Sequence, residues 1–545
     1  MTTRERSGRL RWGAMSSTAF HNAANLDRLL VVDGLIASTE PANDVPEPTD
    51  AEVIDLAGGY LGPAFADGHA HLLQAGREAA GPSIRSAGSV AEIVATVRDW
   101  AAVRPDLEWI VGASYDSTLT PDGRFDARWL DEAVADRPVV LRAWDYHTVW
   151  CNTRALELAG IRADTPDPLD GIILRRTDGT PLGTLIEPGA TDPVLDLLPT
   201  VSVEEGVEAL RLSAAQAAAY GITWVQDAWV EPHELDSWIA AAETRALSVD
   251  ADLAIRADPT RWSAQRDELT ALRARVDPAP GITCHTLKFF LDGIIEYQSA
   301  YLLEPYVDSC SRGLPVWSAE QLNEAFLDAD RLGFDLHLHA IGDAGVRLAL
   351  DAAEHLRTTV PQSDRRITIA HAQLVDEADL RRFAALDVTV CFQPLWAAED
   401  AVMRDLTLPR LRSQQHLQYP IRSVLDAGAR VSFGSDWPVT SPDVLAGIKT
   451  AVTRQTPDGL PAGGWQPAER ITVAEGLAAA TRGVAYQARA EATRGHLDSG
   501  ARADLVWLSA DPTTVPAEQL DQIRVLGTWR RGARTHPPLT RPFTA

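Results

Sequence analysis

Histidine, lysine and aspartate recur at the ends of apolar runs along this chain, in an order that could hold metal ions. His69 and His71 stand one residue apart after Phe65-Ala66-Asp67-Gly68. Alternate residues of an extended strand face the same side, so the two imidazoles can bind one ion together. Lys288 lies within His285-Thr286-Leu287-Lys288-Phe289-Phe290-Leu291-Asp292-Gly293. His339 follows Phe334-Asp335-Leu336-His337-Leu338, His371 follows Ile367-Thr368-Ile369-Ala370, and Asp436 follows Val431-Ser432-Phe433-Gly434-Ser435. A single histidine at a strand end is more often a hydrogen-bonded structural residue. Six such groups at successive strand ends point to one shared site.

Lys288 is the least ordinary of them. The chain has 50 lysines and arginines together, and only two are lysines. An ammonium in an apolar strand meets a large desolvation penalty, so it must be neutralised, paired or chemically changed. The competing reading, a lysine at the strand end reaching out to solvent, is weakened by the histidines around it in the order of the chain.

These residues need strands to present them, and eight strand candidates occur at 63–68, 222–226, 251–256, 285–291, 334–338, 366–370, 387–392 and 429–434. Helical patterns fall between them, among them 203–219, 318–332 and 344–356. Such alternation is the signature of a parallel α/β fold. The span from His71 to Gly221 is too long for one strand-helix unit and has its own strand-like run at 138–142, so residues about 80–200 read as an inserted subdomain. Short strand-like runs with turns occupy 27–61, and similar runs return at 503–508 and 523–529. Residues 1–14 are Arg-rich and non-periodic and read as a disordered extension or a start-site artefact.

The segments Gly62-Pro63-Ala64-Phe65-Ala66-Asp67-Gly68-His69-Ala70-His71, Lys288-Phe289-Phe290-Leu291-Asp292-Gly293, His339-Ala340-Ile341-Gly342-Asp343, Ala370-His371-Ala372-Gln373 and Gly434-Ser435-Asp436-Trp437-Pro438-Val439 together resemble the amidohydrolase superfamily. Within it they are similar to the YtcJ-like branch that includes N-substituted formamide deformylases. The resemblance implies a (β/α)8 TIM-type barrel over 62–483, flanked by a small β-sandwich built from 15–61 and 484–545. In such a barrel the C-terminal strand ends converge on one mouth, which accounts for the scattered ligands. It also implies that Lys288 becomes a carbamate with CO2 and bridges two divalent ions, zinc being the first choice for imidazole and carboxylate ligands. His69, His71 and Asp436 would hold one ion, and His339 and His371 the other. Asp436 would accept a proton from a metal-activated hydroxide and return it to the leaving amine. The expected reaction is hydrolysis of a C–N bond, of amide or N-formyl type.

Further residues join this reading. His337 shares the strand parity of His339 and is expected to support the ligands. His285 has the opposite parity to Lys288 and reads as structural. Trp144-Asp145-Tyr146-His147 resembles a segment of the branch whose histidine faces the active site, with Tyr146 where glycine is usual, so His147 is a substrate-contact candidate. Tyr297, Trp396 and Trp437 follow barrel strands and are candidates to line an apolar substrate pocket.

Other readings compete. Hydrolysis of lactones or esters fits the ligand set equally. A deaminase would want a glutamate soon after His339, and Ala340-Ile341-Gly342-Asp343 has none. A non-catalytic scaffold conflicts with the presence of all six ligand positions.

The chain of 545 residues is long enough for a barrel with additions. Its formal charge of −26 disfavours nucleic acid and anionic membranes as partners. The four cysteines are widely spaced and form no CxxC pair, against both a disulfide framework and a thiolate zinc site. No stretch reaches transmembrane length, and no secretory apolar segment opens the chain. The expectation is a cytoplasmic enzyme with a small-molecule substrate, and a homodimer is compatible with it.

Overall fold

The computed structural model describes residues 17–39, 48–168 and 170–536, so the extension read at 1–14 lies outside the described residues. Eight strands form one parallel sheet in chain order: Phe65–Ala70, Ile222–Val230, Asp250–Arg256, Ile282–Phe290, Asp335–Ala340, Ile367–His371, Val388–Phe392 and Arg430–Phe433. Parallel strands covered on both faces read as nearly continuous apolar runs, which is why all eight were visible in the sequence. Leu287 and Phe289 of the fourth strand are fully buried, with Phe289 packed on Phe326 and Trp317 from the surrounding layer. Each such side chain contributes roughly 1.5–3 kcal/mol by leaving water. Between them Lys288 has the opposite parity, and in register it lies beside Arg256 on one side and His337 on the other.

The first and eighth strands meet through the backbone. His71 N–H donates to Trp437 O and Asp436 N–H to His69 O, both at 2.7 Å. Gly434 makes this approach feasible, because a Cβ there would lie 2.6 Å from His69 N and Cβ. Three of the six candidate ligand positions, His69, His71 and Asp436, are therefore set by the seam that closes the barrel.

The helices between strands have explicit start and stop signals. Val203–Ala219 begins with a capping box in which Ser202 and Glu205 satisfy each other's backbone N–H groups. Ala319–Leu332 begins the same way with Ser318 and Gln321, and ends on Gly333 at φ 77°, the left-handed turn that leads into the fifth strand.

The insertion forms a five-stranded sheet from Ile110–Tyr115, Val139–Ala143, Thr148–Cys151, Ile172–Arg175 and Pro181–Ile186. Residues near both termini form two four-stranded sheets. One uses Ser17–His21, Arg28–Val32, Leu35–Ser38 and Glu52–Asp55, and the other Tyr60–Pro63, Leu505–Leu508, Val525–Arg530 and Ala533–His536. Phe20, Leu29 and Val31 share an apolar cluster with Leu61, Leu505 and Trp529, so the two sheets bury a common core. The part of the chain read as sheet from residue 484 opens instead with the helix Val484–Gln487. Gln487 donates to Gly68 O at 2.7 Å, which ties that helix to the first barrel strand.

Asp250, at the start of the third strand, joins the terminal segment to the barrel. Its carboxylate pairs with Arg494 and Arg502 and lies 3.1 Å from both Arg530 and Arg531. Burial would raise this carboxyl, but the guanidinium groups outweigh it and hold it below the ordinary value. Among the described residues no helix is long and apolar enough to cross a membrane.

Candidate metal centre

The mouth of the barrel gathers His69, His71, Lys288, His339, His371 and Asp436, all buried. His71 Nε2 lies 2.9 Å and His69 Nε2 3.4 Å from Asp436 Oδ1. Ligand atoms of these three residues lie within 4.8 Å of one another, close enough to share one ion. The His339 and His371 rings are 4.5 Å apart, and the His69 and His371 rings 4.8 Å apart. Lys288 Nζ sits 4.7 Å above the ring of Phe290.

The electrostatics suit a cation that is bound rather than protons. Burial pushes His69, His337, His339 and His371 well below the ordinary imidazole range, helped at each of them by Lys288. They are therefore neutral and have lone pairs to offer. Burial likewise brings Lys288 down to about 7, so its amine is largely accessible in the neutral form near neutral pH. Asp436 is the exception. Burial opposes its charge, yet its hydrogen bond with His71 and the surrounding groups hold it well below the usual carboxylate range. Among the described residues, Nδ1 of His71 is buried with no hydrogen-bond partner. Neutral imidazoles converging on an ionised carboxylate fit a divalent ion.

His371 and Asp436 both have left-handed backbones, with φ of 74° and 55°. For residues with a side chain this costs on the order of 1–3 kcal/mol, and such strain concentrates at functional sites.

Several contacts orient the rings. His337 Nε2 lies 2.8 Å from His69 Nδ1, so His337 supports a ligand, while His285 is exposed. Gln393 Oε1 lies 2.8 Å from His371 Nδ1, which fixes that ring from the far side. Trp396 stacks flat on His371 at 5.3 Å. Asp292 accepts from Ile341 N–H and Gly342 N–H at 3.0 and 2.8 Å, and lies 3.8 Å from His339 Nε2. Burial raises its carboxyl to about 7.

His147 reaches the same mouth from the insertion, its ring 5.0 Å from that of His339. Burial opposes its charge, but Glu187, 2.8 Å from Nδ1, outweighs burial and raises it to about 9. Neither Glu187 nor Gln393 was evident in the sequence. Each is paired with its histidine only by strand neighbours distant along the chain.

Beside the centre lies a cavity of about 300 Å³, with Phe290, Gly293, Leu314 and Val316 among its walls and Glu187 and Arg256 at its polar side. None of the three expected aromatic lining residues belongs to it. Tyr297 packs in an apolar cluster with Ile186 and Ile294 and donates to Gly123 O at 3.3 Å. Trp437 is buried in the main core, and Trp396 covers His371. Phe290 and Trp229, whose rings meet edge to face at 5.1 Å, lie beside His339 and His71 at 5.3 and 6.5 Å.

Residues 52–536 match the model described as Amidohydrolase family. The chain is 27% identical to the putative amidohydrolase YtcJ of Bacillus subtilis (strain 168), covering 95% of this chain and 97% of that protein. It is also 27% identical to the N-substituted formamide deformylase of Arthrobacter pascens, covering 92% and 94%. Among solved structures, an uncharacterized metal-dependent hydrolase from Pyrococcus horikoshii OT3 superposes with a TM-score of 0.72 at 22% identity, covering 92% of this chain and 99% of that one.

Proposed function

Because the chain belongs to the amidohydrolase family, we propose that it is a metal-dependent hydrolase cleaving the C–N bond of a small amide or N-formyl compound. The observation that supports this most is the meeting of His69, His71 and Asp436 within 4.8 Å, beside His339 and His371, which burial keeps neutral, and Lys288, whose amine burial brings down to about 7.

His69, His71 and Asp436 would hold one divalent ion. His339 and His371 would hold a second, with Lys288 joining the two once its neutral amine has taken up CO2. Zinc suits this nitrogen and oxygen set. When bound, such ions polarise a carbonyl and lower the pKa of water. The side chains do the rest. Asp436, ionised and strained, accepts a proton from the attacking water and delivers it to the nitrogen that leaves. His337 keeps the His69 ring in place, and Gln393 keeps that of His371. The cavity against Phe290, Leu314 and Val316 has room for a small, partly apolar substituent on the substrate.

The similarity to a protein named N-substituted formamide deformylase, over nearly the whole of both chains, favours C–N cleavage above lactone hydrolysis. A deaminase is disfavoured at residue level. Asp343, the first acid after His339, is occupied by Leu303 N–H at 2.8 Å and Ala344 N–H at 3.0 Å.

Zinc-loaded enzyme should be offered N-substituted formamides, N-acyl amino acids, cyclic imides and lactones, with amine and acid quantified. Equal release of amine and carboxylate from an amide or formamide is the expected result. Turnover confined to lactones, or release of ammonia from a ring amine, would defeat the proposal.

A further inference from the structure

We propose that Glu187 is a positioning residue that holds His147 Nδ1, so that Nε2 of the same ring faces the scissile group of the substrate. The inference rests on the hydrolase reading above and adds a residue to it. Strands Thr148–Cys151 and Pro181–Ile186 pair antiparallel, with Thr148 opposite Ile186, and so bring the two residues together from 40 positions apart. Glu187 N–H donates to His147 O at 2.9 Å, and His147 N–H and Thr148 N–H both donate to Asp145 Oδ1 at 2.7 Å. The backbone under the histidine is thus fixed on both sides.

The backbone of Glu187 is at φ 64°, ψ 160°. That region belongs essentially to glycine, so a glutamate there needs compensation from its side chain. Although Glu187 precedes the helix Pro188–Leu195, its carboxylate makes no capping bond. Both oxygens are used elsewhere. Oε2 lies 2.8 Å from His147 Nδ1, and Oε1 accepts from Ser299 Oγ at 2.6 Å. Ser299 belongs to the loop after the fourth barrel strand, the strand that presents Lys288. In the same loop Gly293 leaves the space the carboxylate occupies, since a Cβ there would stand 2.0 Å from Glu187 Oε1. Insertion and barrel therefore grip one carboxylate between them. A carboxylate accepting Nδ1–H fixes the ring plane and keeps that nitrogen protonated, and leaves Nε2 as the nitrogen available to another partner. The ring lies 5.0 Å from His339 and 6.1 Å from Phe290, at the edge of the space where a substrate must lie to reach the centre.

A double-mutant cycle on the full-length, zinc-loaded chain tests this, using whichever compound of the panel is turned over. Glu187→Ala should lower kcat by about 10- to 100-fold, the usual range for groups that orient a catalytic residue, with metal content unchanged. In a His147→Ala background the same change should have no further effect. Glu187→Gln keeps an acceptor oxygen and should recover most of the loss. Imidazole proton NMR gives a second readout independent of turnover. A protected Nδ1–H resonance should be present in the wild type, absent in His147→Ala and Glu187→Ala, and present in Glu187→Gln. Should Glu187→Ala fail to fold, Ser299→Ala, which removes the hydroxyl on Oε1, takes its place in the cycle. Equal losses in the two backgrounds, wild-type kcat in Glu187→Ala, or a His147 Nδ1–H resonance that survives Glu187→Ala would overturn the proposal. Turnover of a lactone in place of an amide would defeat the C–N reading while leaving this cycle decisive.

Discussion

Lys288, one of only two lysines in the chain, shows why an amine rather than a guanidinium stands at this position. A guanidinium remains charged at any accessible pH, whereas burial brings this amine to about 7, low enough for the proposed reaction with CO2. Lys288→Ala should therefore lose metal and activity together, and added formate or acetate should restore part of both by filling the bridging position. Lys288→Arg should show no such rescue; elemental analysis alongside turnover checks both variants. Asp436→Asn separates ligation from proton transfer. It should lower turnover by about two to four powers of ten, the range for loss of a general base, while metal held by His339, His371 and Lys288 remains. Near wild-type turnover in that variant would move the proton shuttle to another group, His147 first. The six candidate positions that meet at the barrel mouth were legible because each lies in or at the end of an apolar run. Glu187 and Gln393 were not, since their roles arise from pairing across 40 and 22 residues. Of the aromatic residues expected at a substrate pocket, Trp396 stacks on His371 while Tyr297 and Trp437 pack into apolar clusters, since residue type says nothing of the direction in which a ring points.

The barrel is also held at the end of its strands away from the candidate site. Asp250 begins the third strand beneath four arginines, and Arg494 among them is almost as buried as its partner. Asp250→Asn leaves those cations uncompensated and should destabilise the protein by about 3–5 kcal/mol, measurable by denaturant unfolding. The sign of the pH effect follows from its depressed pKa. The pair's stabilisation is complete above the unfolded carboxylate value near 4 and is lost as pH falls through the lower folded value. Acid unfolding of the wild type should contain this component, and that of Asp250→Asn should lack it. All eight barrel strands could be read from their apolar runs. The insertion was visible chiefly as a span too long for one strand-helix unit, because its short strands alternate with turns and four of the five were not distinguished.

Across the whole chain, the site belongs to no single element. The seam between the first and eighth strands supplies His69, His71 and Asp436, the middle strands supply Lys288, His339 and His371, and the insertion adds His147 and Glu187 above them. Whether these groups hold metal for hydrolysis decides the proposed function. The direct measurement is turnover of chelator-stripped enzyme as zinc is titrated back in the presence of bicarbonate, with bound metal counted at each step. Turnover should be absent from the stripped protein and rise with bound metal to a plateau near about two ions per chain, as a shared two-ion centre requires. Full turnover by the stripped protein would contradict the account.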